Sequence, residues 1–353
     1  MSTFNDKFPI VSIIIGIYNV KSFIRRGLQY LEEQSFRNFE IILIDDGSTD
    51  GSSELCDEIA EQNAQVKVVH KKNAGLGSAR NVGLDVACGK YVYFFDVDDA
   101  VKPSLLAYCV NQMESKNLDV LFFGFEVITP SRNLHDTVSF KAHEINGNDE
   151  LRACYVDELL LVRNGNGFAW NKFYRKSFLD KYHLRFENQR IQQDEVFNLL
   201  VFPHVERAYI SSEVLYTYYI YEKGNTRSRF IPDRFDIYVS IREHFEDLKY
   251  YWKLTDSRMD DYLQKRFWSN LVTGIVPNLF HWDCPWTIQE KQSELNRIIN
   301  HPFTNSCLQY MRDMLNGEGR LYYWAFRKAD IHLLKMIYCS LSFLRKVKHK
   351  LNR

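Results

Sequence analysis

The 353-residue chain balances 45 Lys/Arg with 45 Asp/Glu, so no overall field favours a nucleic acid partner. A hydrophobic content of 45% supports a packed core in one large domain or two smaller ones. Seven cysteines without a CxxC pair, ten histidines without HExxH and a first segment (MSTFNDKFP) without an apolar run predict neither a disulfide scaffold, nor a patterned zinc site, nor a secretory leader, and read as reduced thiols in the cytosol.

In chain order, the apolar, β-branched run Val11–Ile17 predicts a first strand, and residues 22–34 predict a helix. Phe39–Ile44 predicts a second strand, running into Asp45-Asp46-Gly47-Ser48. Residues 49–62 follow as a helix, with Thr49, Asp50 and Ser52 as candidate caps. Val66–Val69 is a short third strand and residues 75–86 a third helix. Tyr91–Phe95 is a fourth strand that ends abruptly in Asp96, Asp98 and Asp99. Strands alternating with helices imply βαβ units and a parallel sheet with right-handed crossovers. Ligands of such sheets bind outside the carboxyl ends of the strands. Asp45, Asp46, Asp96, Asp98 and Asp99 therefore share one rim. An isolated Asp-x-Asp also fits a solvated acidic turn. Crowded carboxylates repel, and a hard divalent cation held by one or two of them plus substrate phosphates relieves that cost.

After Lys102-Pro103 a helix runs to about Lys116, and Asp119–Val127 reads as another strand. Residues 129–150 are polar and predicted to be loop-rich. The aromatic segment Phe168–Arg175 precedes Gln193-Asp194-Glu195-Val196-Phe197 and a helix over residues 196–202. Tyr216–Arg229 begins as an aromatic strand and ends in a Ser/Thr-Arg loop. Residues 231–353 are mostly helical by pattern. Their end, Leu321–Arg353, combines aromatics, an apolar face and a basic run, which suits either a helix on an anionic membrane or a helix packed on its own domain with a solvated tail. Its apolar stretch, Leu333–Leu344, is too short to span a bilayer.

A dinucleotide-binding fingerprint needs GxGxxG directly after the first strand. Only Gly16 stands there, and Gly75-Leu76-Gly77-Ser78-Ala79-Arg80 follows the third strand with arginine in place of the last glycine. Four other motifs occur in order at strand ends: Ile17-Tyr18-Asn19, Asp45-Asp46-Gly47-Ser48, Asn73-x-Gly75-x-x-x-Ala79-Arg80-Asn81-x-Gly83, and Asp96-x-Asp98-Asp99. Residues 9–99 thereby resemble the nucleotide-sugar-binding half of family 2 glycosyltransferases, and the likeness extends to about residue 230. Gly16 departs from the proline that many members carry, and Gln193 departs from the usual acid before the catalytic aspartate.

The resemblance implies a GT-A, Rossmann-like α/β fold with a mostly parallel sheet flanked by helices and a mainly helical C-terminal region. It divides the chain into residues 1–104 for the nucleotide sugar, 105–230 for acceptor and catalysis, and 231–353. It implies an inverting transfer from a UDP-sugar to a glycan hydroxyl. Asp194 is the implied base, with Glu195 its reserve if the register slips by one. Ile17, Tyr18, Asp46, Gly75, Arg80, Asp96 and Asp98 are the implied donor contacts, with Asp46 accepting from uracil. Asp98 and Asp99 are the implied ligands of Mg²⁺ or Mn²⁺. Trp170 and Lys172 are implied to belong to the acceptor or diphosphate region, with ordinary core an equal reading of Trp170; Arg227 and Arg229 either close over the diphosphate or are solvated loop charges. The implied acceptor is a lipid-linked oligosaccharide at the cytoplasmic face, in capsule, O-antigen or exopolysaccharide synthesis. Two alternatives remain at this level: an inactive sugar-binding module, and a nucleotidyltransferase. The latter needs a Gly-rich basic loop where this chain has Tyr18-Asn19-Val20-Lys21.

Overall fold

The computed structural model describes residues 8–162, 167–221 and 229–351. The chain forms two compact units, Met1–Gly224 with Leu248–Leu254, and Asn225–Asp247 with Thr255–Arg353.

The first unit is built on one sheet of ten strands. They are β1 (Val11–Ile17), β2 (Phe39–Asp45), β3 (Val66–His70), β4 (Tyr91–Phe94), β5 (Ala100–Val101), β6 (Val120–Thr129), β7 (Leu134–Val138), β8 (His143–Asn146), β9 (Lys172–Arg175) and β10 (Arg207–Tyr219). Their order is β3-β2-β1-β4-β9-β6-β10-β5, with β7 on β6 and β8 on β10. β1 pairs in parallel with β2 and β4, and β2 with β3, so their carboxyl ends lie on one rim. The continuous apolar runs of β1, β2 and β4 have the composition of strands covered on both faces, and almost every residue in them is buried. The sheet is mixed rather than parallel throughout: β9 runs antiparallel to both β4 and β6. It therefore enters the sheet at the rim where β4 leaves it. β10 pairs in parallel with β6, which brings its C-terminal tyrosines to the same rim.

Helices α1 (Lys21–Glu32), α2 (Ser52–Gln62), α3 (Leu76–Val86) and α4 (Leu105–Ser115) supply the crossovers of the first half. α3 lies close to β1 because Gly83 has no side chain: a Cβ there would stand 2.3 Å from Cγ2 of Ile14. α5 (Asn148–Cys154), α6 (Lys176–Lys181) and α7 (Gln193–Val201) follow.

Several expectations are corrected. Residues 129–150 are not chiefly loop but hold β7 and β8, short edge strands too polar to read as such. The N-cap of α2 is Gly51, at φ +86°, while Asp50 accepts from the Ser52 amide without capping the helix as expected. α7 begins at Gln193, so Asp194 and Glu195 lie inside its first turn rather than ahead of it.

The second unit is helical: part of α8 (Arg234–Tyr251), then α9 (Ser257–Ser269), α10 (Val276–Leu279), α11 (Ile288–Asn300), α12 (Pro302–Met311), α13 (Gly317–Lys328) and α14 (Ile331–Leu351). Leu263, Phe267, Leu271, Leu295, Cys307 and Phe326 are buried in it. α11 starts with a reciprocal capping box between Thr287 and Glu290.

Candidate active site

Two carboxylate clusters occupy the rim of β1 to β4. In the first, the Asp46 amide donates to the Ile17 carbonyl at 2.8 Å, tying the end of β2 to the end of β1. The Asp46 carboxylate accepts from the amides of Gly75 (2.7 Å) and Ala74 (3.0 Å) and from Lys71 Nζ. Asn73 Nδ2 closes the loop by donating to the Asp46 carbonyl at 2.9 Å. Gly75 has φ +93° and ψ 162°, a conformation open essentially to glycine alone, so the residue is needed where its amide meets Asp46. Ile17 is buried, whereas Tyr18 stands 43% exposed beside it. Burial acts to raise the Asp45 carboxyl, but hydrogen bonds from His70 and Ser48 outweigh it and hold the group below the usual range.

The second cluster follows β4. Arg80, on α3, is fully buried and joins two acids: Nη2 donates to Asp96 Oδ1 at 2.8 Å, and Nη1 to Asp194 Oδ1. Its guanidinium lies 5.6 Å from the ring centre of Phe94 and 5.3 Å from that of Phe186. Burial pushes Asp96 up to about 6; Arg80 opposes this, while Asp194 and Asp98 add to it. Asp98 is also raised, chiefly by burial. Its backbone carbonyl is held by Arg26 at 2.7 Å, while its carboxylate meets no other side chain's hydrogen bond among the described residues. Asp99 is raised well above its ordinary value, by burial and then by Asp98 and Asp96. Each of its oxygens already accepts one bond, from Tyr216 Oη at 2.6 Å and the Tyr219 amide at 2.8 Å.

Asp194 reaches this cluster from α7, preceded by Gln192 at φ +58°, a left-handed turn that a non-glycine residue adopts at some cost. Its second oxygen accepts from the Ala169 amide at 3.0 Å, so the segment before β9 holds it as well. Glu195 lies on the buried side of the same turn. Arg80, implied to sit near the base or diphosphate, bridges Asp96 and Asp194.

Two expectations about the acceptor segment are corrected by packing. Trp170 is 2% exposed and sandwiched between Tyr216 (4.2 Å, 9°) and Phe168 (4.3 Å, 22°), so neither face is open to a sugar. Lys172 is fully buried, donates to the Phe168 carbonyl and to Asn171 Oδ1, and is pushed down to about 7 by burial despite Asp194 nearby. It is placed to order the chain, not to reach a phosphate. Arg229 is exposed and belongs to the second unit, and Arg227 lies outside the described residues. Sequence reasoning missed Lys71, Arg26, Phe186 and the pair Tyr216 and Tyr219. Only the tyrosines had a signal, as part of an aromatic strand.

The donor set fits a hard cation in part. Asp98 offers an open carboxylate, and the raised carboxyls would regain their charge beside one. Three ligand atoms within 4.8 Å of one another occur, among the described residues, only at His143, Cys154 and Glu158. There the thiol is pushed up to about 11 by burial and Glu158. A cation at the rim would therefore need phosphate oxygens or waters to complete its shell.

Comparison with known proteins gives this arrangement its context. Residues 12–182 match the sequence model of Glycosyl transferase family 2. Over these residues the chain is similar to that family. EpsJ of Bacillus subtilis (strain 168), an uncharacterized glycosyltransferase, is 32% identical over 213 residues, which is 60% of this chain and 61% of that protein. The putative glycosyltransferase EpsH of the same organism is 30% identical over 182 residues, 50% of each chain. The chain thus spans about half to three fifths of the length of these curated relatives. Among solved structures, S. aureus TarS 1–349 in complex with UDP-GlcNAc superimposes with a TM-score of 0.66 at 20% identity, covering 94% of this chain and 91% of that one. At that identity the likeness establishes the GT-A fold.

Proposed function

We propose that this chain transfers a sugar from a UDP-sugar to a hydroxyl of a glycan acceptor, with inversion at the anomeric carbon. The observation that carries the reading is the convergence at one rim of the Asp46 loop, the open Asp98 carboxylate and the Arg80-linked pair Asp96 and Asp194. TarS, which shares the fold, has been solved with UDP and with UDP-GlcNAc, and this supports a uridine donor.

In this reading Asp46 accepts from the uracil ring. Its carboxylate has capacity for about four acceptor bonds and uses three within the chain. Tyr18 borders the nucleotide and Asp96 faces ribose or donor sugar. Asp194 is the base that takes the acceptor proton while its oxygen attacks opposite the leaving group. For that, one oxygen must turn from Arg80, which then remains paired with Asp96. Asp98, backed by the charge of Asp99, would hold Mg²⁺ or Mn²⁺, which neutralises charge on the departing UDP. The acceptor is a lipid-linked oligosaccharide of an envelope pathway, met at the inner face of the cell membrane.

The test is UDP release across a panel of UDP-sugars with Mn²⁺, Mg²⁺ or EDTA. Metal-dependent release from one donor is expected. Silence across the panel, together with no UDP binding by calorimetry, would refute the uridine donor; UDP binding without turnover would favour an inactive sugar-binding module.

A further inference from the structure

We infer that the outward faces of α13 and α14 form a docking surface for an anionic lipid bilayer. α14 carries two apolar stripes on opposite sides. Ile331, Leu334, Ile337 and Leu341 are buried, on a helix that packs with α13, α11 and α10. This stripe holds the helix in its unit. Met336, Phe343 and Val347 recur at helical spacing on the other side and stand in solvent, Met336 60% and Phe343 65% exposed. Packing within the unit does not account for them. α13 repeats the division: Tyr322, Ala325 and Phe326 are buried, while Leu321 and Trp324 are exposed, the indole to 51%. An indole with an apolar body and one polar edge suits the headgroup boundary of a membrane.

Charge selects the occupant. Residues 317–353 hold nine Lys/Arg and two Asp/Glu in a chain whose total is zero. Both acids are engaged locally. Glu318 pairs with Arg345, and Asp330 accepts from the amides of His332 (2.8 Å) and Leu333 (3.1 Å) at the start of α14. Arg320, Arg327, Lys328 and Lys335 are exposed around the apolar residues. Basic residues flanking an exposed apolar stripe match an anionic lipid surface. A two-fold contact with a second copy would set the same cations against one another. No helix among the described residues is long and apolar enough to cross a membrane, so the surface lies on the bilayer. The inference deepens the proposed reading, on which it rests only for the lipid-linked acceptor; binding is measured without transfer.

The experiment is flotation of the full chain with vesicles of phosphatidylcholine alone and of equal parts phosphatidylcholine and phosphatidylglycerol. The wild type is expected to float with the anionic vesicles and to release as salt rises. The double variant Met336→Glu with Phe343→Glu, whose fold is checked by circular dichroism and UDP binding, is expected to lose about tenfold or more in partitioning. Wild-type protein left at the bottom of the gradient overturns the inference. So does equal flotation of the variant, or a wild-type dimer in solution that the variant dissolves. UDP release is assayed separately: flotation without release overturns only the proposed transfer, and release without flotation overturns only the lipid surface.

Discussion

The clusters at the ends of β2 and β4 share a rim but differ in how their charge is met. Asp46 is surrounded by donors from its own chain, two amides and an ammonium, and Asp45 by His70 and Ser48. Asp96, Asp98 and Asp99 are all driven upward by burial, and Arg80 is the one guanidinium bound to the cluster's carboxylates among the described residues. The first cluster is completed by the fold and suits recognition of a hydrogen-bonding group. The second carries charge that the fold does not complete, and suits a cation arriving with an anionic ligand. In the proposed transfer the proton of the attacking hydroxyl goes to Asp194, which stands at the second cluster.

Asp194→Asn should therefore give the largest effect. Turnover should fall by ~10²–10⁴-fold, the usual contribution of a general base, with UDP affinity kept. Single-turnover kinetics with calorimetry checks both parts. Full turnover in this variant would end the assignment of Asp194 as base and pass the role to Glu195.

Arg80→Met comes next. It leaves Asp96 and Asp194, both partly buried, without their shared buried partner, and loss of one member of a buried ion pair costs up to about 3–5 kcal/mol. Urea unfolding measures the loss. A cost under about 1 kcal/mol would mean that the carboxyls protonate freely, and the contrast between the clusters would then be shallow.

Asp46→Asn sharpens the contrast from the other side. The amide keeps one acceptor oxygen and turns an NH₂ toward the donors that the second oxygen met. The loss should be about 1–3 kcal/mol of stability, with weaker UDP binding. Weakened UDP binding at unchanged stability would make Asp46 a pure ligand contact rather than the organiser of the 71–75 loop.

These residues also mark where the sequence was readable. β1 to β4 were legible because strands buried on both faces read as unbroken apolar runs, and helices of ordinary length separate them. The acids at their ends were legible for the same reason. The role of Arg80 was not, since its partners lie 16 and 114 residues away, and only the antiparallel entry of β9 with the turn into α7 brings Asp194 back to the rim. Trp170 and Lys172 misled because an aromatic and a cation in a motif look like ligand contacts until their burial is known. The polar edge strands β7 and β8 lack the alternation that would announce them.

Lys172 offers the smallest effect and the most direct check on whether the second cluster has a cation of its own. Burial pushes its ammonium down to about 7, from an ordinary value of 10.5, so at higher pH it is neutral in the folded chain and charged in the unfolded one. Between those values the unfolded state binds one more proton, and stability must rise with pH. From pH 7 to pH 9 the wild type should gain on the order of 1–2 kcal/mol relative to Lys172→Met, which has no group to titrate there. Denaturant midpoints of both proteins at the two pH values measure it. Parallel curves would mean that Lys172 stays charged beside Asp194. The carboxylates would then already hold a second positive neighbour, and the case for a cation from outside would weaken in proportion.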